Sequence, residues 1–124
     1  MATEETERLT PQADFELDTF TVVVLHAGPR AAEYDRAETQ RLLNEHLQYT
    51  LGLRRAGHLL AAGAILDQGP PADRQTGLGF SLECAAELLP RLNEDPAVKA
   101  GLEAVKLVTL ICPKGAIAFQ RPPT

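Results

Sequence analysis

A chain of 124 residues, 44% hydrophobic and 23% charged, has room for one buried core but not two, with the balance of a folded domain rather than a disordered one. A formal charge of −5 with no basic cluster argues against a nucleic-acid footprint. No apolar run reaches the roughly 18 residues of a membrane helix, and acidic residues stand where a signal peptide would be basic, so a cytoplasmic protein without membrane partners is expected.

Residues 1–17 read as a flexible leader, with Glu4, Glu5 and Glu7 close together and no sustained hydrophobic period. The domain is expected over 18–120, with a short tail at 121–124. From Thr19 the β-branched run through Val22, Val23, Val24 and Leu25 to His26, closed by Gly28-Pro29, predicts a strand buried on both faces at its middle. Residues 31–39 are charged and Ala-rich, a loop leading into a helix. On a wheel of about 100° per residue, Leu42, Leu43, Leu47, Leu51 and Leu53 share one face, and His46 falls inside it. Gly57 stands where a left-handed C-cap is favoured, after Arg54 and Arg55, which suit the helix C-terminus.

A second strand is expected over 58–66. Its small residues Ala61, Ala62, Gly63 and Ala64 leave space on the sheet, and space beside a helix face is how a pocket begins. Gly69-Pro70-Pro71 marks a turn-rich loop, and 77–82 predict a third strand. Its two glycines match no phosphate-binding motif. Apolar residues Ala85, Leu88, Leu89 and Leu92 predict a second amphipathic helix over 84–93, kept short or kinked by Pro90. Asp95 before Pro96 is a helix-start signal. The last long strand is expected over 102–111, broken by Pro113, with a short edge strand at 116–119.

This order, β-α-β-β-α-β, predicts an α+β, ferredoxin-like antiparallel sheet with both helices on one face. The outward residues of the strands are apolar as well, so a homodimer through the open sheet face is expected. Cys84 and Cys112 show no CxxC or zinc spacing and read as small buried hydrophobes, or as a redox pair if the fold joins them.

The three histidines share no metal-ligand spacing, so neither metal nor cofactor is expected. His58 reads as a solvated cap residue. His26 ends the first strand and is either structural or a neighbour of the pocket. His46 is either a core imidazole bonded to a carbonyl or a general acid/base whose tautomer a carboxylate fixes. Asp95 is the candidate carboxylate, and equally a plain N-cap.

The run Glu45-His46-Leu47, then Ala56-Gly57-His58-Leu59-Leu60-Ala61-Ala62-Gly63, then Glu94-Asp95-Pro96 with Ala100-Gly101-Leu102, resembles the YCII-related (YciI-like) proteins over roughly residues 20–111. The resemblance implies a dimeric α/β barrel of ferredoxin-like units and a His-Asp pair facing a pocket, carried over to His46 and Asp95. The sequence departs from the family pattern at Ala64, where proline is usual, and at Cys84, where serine commonly opens the second helix. Pocket neighbours are then His26, Gly63 and Ala64. The expected function is a small enzyme acting on a small molecule, lactone-like or aromatic-derived, by proton transfer, elimination or hydrolysis. The alternative is a non-catalytic ligand-binding or accessory domain of the same fold.

Overall fold

The computed structural model describes residues 16–120; the expected tail and the leader up to residue 15 lie outside them. Four strands, β1 (Leu17–Ala27), β2 (Ala61–Ala64), β3 (Gln75–Ser81) and β4 (Glu103–Pro113), and helices α1 (Arg36–Arg55), α2 (Ala85–Leu92) and α3 (Pro96–Lys99) follow one another in the order β1-α1-β2-β3-α2-α3-β4. The sheet order is β2-β3-β1-β4, and every neighbouring pair is antiparallel. This is the ferredoxin-like α+β arrangement. Among the described residues no helix is long and apolar enough to cross a membrane.

Local chemistry explains where the elements begin and end. Asp35 opens α1 with a capping box: its carboxylate accepts from the Glu38 amide at 2.8 Å, and Glu38 accepts from the Asp35 amide at 3.3 Å. Gly57, just beyond the end of α1, takes φ +87°, the left-handed turn that a side chain resists. Helix α2 is only eight residues long with Pro90 inside it, because proline removes an internal hydrogen bond and crowds the preceding turn.

Register sorts the side chains to two faces. Val23 pairs with Gly79 and Leu25 with Gly77 across β1 and β3, and these positions face the helices. There Val23 and Leu25 pack with Leu53, Leu59, Leu88 and Leu92 in one buried cluster. A second cluster joins Leu42 of α1 to Ala97 and Leu102, bordered by Tyr34, whose hydroxyl donates to the Ala100 carbonyl at 2.5 Å.

Three expectations are corrected. Residues 116–119 form no strand; instead Phe119 packs its ring on Phe20 and Phe80, at 5.6 and 5.4 Å between centroids, so apolar burial on the outer sheet face takes the place of edge pairing. Cys84 is exposed and Cys112 only half-buried, and both are free thiols, because Cys84 occupies the N-cap of α2, outside the core. His58 is not simply solvated: its Nδ1 lies 2.9 Å from Glu83 Oε1, an oxygen that also sits 3.4 Å from Arg91 Nε.

The start of β4 is fixed by a close backbone approach. Gly28 donates its amide to the Leu102 carbonyl at 2.8 Å and Arg30 to that of Gly101 at 2.8 Å. A Cβ on Gly28 would stand 2.3 Å from the Gly101 oxygen, so no larger residue fits without parting these segments. Gly28→Ala is therefore expected to lower stability by about 2 kcal/mol or more, measured as a fall in urea midpoint at unchanged m-value.

Candidate active site

Helix α1 meets the core through Leu42 in its first half and through Tyr49 and Leu53 towards its C-terminal end, and between these contacts it passes over a part of the sheet with little side-chain volume. On the helix-facing side, β2 and β3 present Ala62, Ala64, Gly77 and Gly79. Small residues below and a helix held by these contacts above leave a cavity of about 310 Å³, within the range of small-molecule sites. Leu43 and Leu47, both partly exposed on α1, contribute to its walls together with Val23, Leu25 and Leu59. This accounts for the leucine face of α1 being broader than its buried contacts with the core.

His46, midway along α1, lines this cavity with its side chain 19% exposed. Its Nδ1 donates to Asp95 Oδ2 at 2.5 Å. Asp95, 6% exposed at the side chain, uses its other oxygen to accept from the Ala97 amide at 2.9 Å, as N-cap of α3 with Pro96 in the first helical position. The alternatives open in the sequence for Asp95, cap or histidine partner, are thus both realised, one on each carboxylate oxygen. With Nδ1 occupied, Nε2 is the ring nitrogen left for a molecule in the cavity.

The structure adds a residue that sequence reasoning missed. Glu103, the first residue of β4 and 5% exposed at the side chain, brings Oε2 to 3.5 Å from His46 Nδ1. That oxygen is buried without a hydrogen-bond partner, as is Oγ1 of Thr76, which also lines the cavity. The one signal in the sequence was an acidic residue opening a largely apolar strand directly after Gly101-Leu102.

Gly63 and Ala64 line the cavity, whereas His26 is not among the residues that do. Strand alternation turns His26 to the opposite face from Leu25, and a register shift separates the two. Its Nδ1 lies 3.3 Å from the neighbouring Ala27 carbonyl. Among the described residues no group of three or more His, Cys, Asp and Glu is placed to hold a metal ion.

Burial pulls the His46 imidazole towards its neutral form, but the Asp95 hydrogen bond and the charges of Glu103 and Asp95 together outweigh it, and its pKa is raised above the ordinary histidine value. Burial also raises the Glu103 carboxyl above the usual glutamate range; nearby His46 opposes this and Asp95 adds to it. The negative charge of Asp95 so close to it disfavours ionisation of Glu103 in a dry site.

This geometry can be set beside known proteins. The YCII-related domain family model matches residues 19–111. The chain belongs to the YCII-related family. Among curated proteins nothing matches this YCII-related chain. Among solved structures it is similar to the 5-chloro-2-hydroxyhydroquinone dehydrochlorinase (TftG) of Burkholderia phenoliruptrix AC1100, in complex with 2,5-dihydroxybenzoquinone. The likeness has a TM-score of 0.46 and 20% sequence identity, covering 74% of this chain and 89% of that one.

In this YCII-related chain the raised His46 pKa has a defined linkage. The pair contributes stability that is fully present below the unfolded histidine value, about 6.5, and is lost as pH rises through the higher folded value. Asparagine at 95 keeps an oxygen for the Ala97 amide but removes the charge. We expect the His46 titration midpoint, read by nuclear magnetic resonance of the ring, to fall in Asp95→Asn. The stability difference between the wild type and this variant should narrow from pH 6 to pH 8.

Proposed function

We propose that the chain is a small-molecule enzyme in which His46 transfers a proton and Asp95 orients and charge-balances it. The observation that carries this reading is the 2.5 Å bond from His46 Nδ1 to a nearly buried Asp95 at the wall of a largely apolar cavity. Such a pair fixes the tautomer, leaves Nε2 facing substrate and stabilises the imidazolium that forms on proton uptake. The chemistry is acid–base and needs no group beyond the side chains. Nε2 removes a proton from a C–H or O–H of the substrate. The electron pair left behind expels a leaving group in elimination, or takes the proton back at another atom in isomerisation; with water as the proton donor, the hydroxide attacks a carbonyl in hydrolysis, the carbonyl carbon's bond to the leaving oxygen breaks, and the imidazolium returns the proton to that oxygen. Lactones and halogenated aromatic-derived compounds offer these reactions on a scale the cavity admits.

A second copy of the chain covering the outer sheet face belongs to the same proposal. Leu78 and Val108 are 37% and 39% exposed and share that face with Val24 and Val22, while Phe119 covers its neighbourhood around Phe20 and Phe80. The predicted assembly is a dimer by light scattering at micromolar concentration, and Val108→Glu should shift it to monomer.

Screening lactones and halogenated ring compounds for turnover tests the catalytic reading directly. His46→Ala should lose about 10²-fold or more in kcat/KM, with Asp95→Asn also impaired. Turnover by His46→Ala equal to that of the wild type would sink the assignment and leave the cavity as a binding site only.

A further inference from the structure

The charge lining the cavity is one-sided. Asp95 and Glu103 both contribute to its walls, and among the described residues no lysine or arginine does. The one group there that can become cationic is His46, and its Nδ1 is already bonded to Asp95; as imidazolium and carboxylate the two cancel. Glu103 then adds either no charge or a negative one. Its side chain is 95% buried and its Oε2 meets no hydrogen-bond partner; nearby His46 and the Thr76 hydroxyl offset its charge only in part, and burial still holds the carboxyl above the usual glutamate range. An organic anion entering this site would bury a negative charge with no free cation to meet it and a second carboxyl beside it, which is costly in a low-dielectric setting. An uncharged molecule meets no such penalty, and the apolar walls favour it.

We infer that the cavity selects uncharged, ring-sized molecules against organic anions, and that Glu103 is the residue that sets this preference. The inference rests on the reading of the cavity as a small-molecule site and narrows its substrate class: lactones or ring compounds without a carboxylate. Glu103 acts through its charge rather than by contact, so it is a specificity residue and not a catalytic one. The close approach of Gly28 to Gly101 and Leu102 holds the start of β4, and with it Glu103, in place beside the cavity.

The test uses two probes of matched size, benzyl alcohol and benzoate, titrated into the wild-type chain at pH 7 while resonances of His46 and of the methyl groups of Leu43, Leu47 and Val23 are followed. Benzyl alcohol is expected to bind at least tenfold more tightly than benzoate. Glu103→Gln is expected to shrink that ratio by at least threefold, through tighter benzoate binding. Ala62→Lys, which places a cation at an exposed position of the cavity wall, should do the same without altering the buried cluster, and covers the case in which Glu103→Gln does not fold. Benzoate binding to the wild type as tightly as benzyl alcohol overturns this inference and leaves the proposed function standing. An unchanged ratio in a folded Glu103→Gln overturns the role of Glu103. Perturbation by neither probe overturns the inference together with the small-molecule reading.

Discussion

The carboxylate of Asp95 is the point at which folding and chemistry meet. One oxygen holds the Ala97 amide and so starts the single turn of α3; the other holds His46, 49 residues away in sequence, on the opposite helix. A group that satisfies a helix start is fixed by the backbone, and a fixed carboxylate can in turn fix an imidazole. The rest follows in order. Ala97 and Leu102 bury against Leu42, which sets the height of α1. The turn ends in Gly101 at φ +75°, which delivers Glu103 into β4 beside the same imidazole.

Much of this fold was legible in the residues. Continuous β-branched and apolar runs marked β1 and β4, because such runs report burial on both faces of a strand, and the leucine face marked α1. The element order alone led to the antiparallel sheet. What the sequence concealed were contacts set by tertiary placement. Phe119 looked like the end of an edge strand, since a short apolar run does not say whether it pairs through backbone or packs through its ring. His58 looked like a cap because its partner Glu83 lies 25 residues further along the chain, beyond β2 and β3. The expected strand over 58–66 shrank to Ala61–Ala64, since it pairs on one side only and small residues hold few contacts.

The candidate site was legible in part for a similar reason. His46 stood out because an ionisable ring in a leucine face needs partners, and Asp95 because its Asp-Pro step is a local signal. Glu103 carries no local signal of comparable weight: one glutamate at the head of a strand reads as solvent-facing until the Gly28 approach turns it inward. His26 erred the other way. Alternation along β1 turns it to the opposite face from Leu25, and the register shift beside it is invisible in a single strand's composition.

The wall to which Ala62, Ala64 and Gly79 contribute has an evolutionary corollary. Because the buried leucine clusters do not lean on Ala62 or Ala64, longer side chains at these two exposed positions would subtract cavity volume atom by atom while leaving the core contacts in place. A gene duplicate could thus retune which molecules it admits through substitutions on one short edge strand, with the histidine, its carboxylate and the buried leucine clusters untouched.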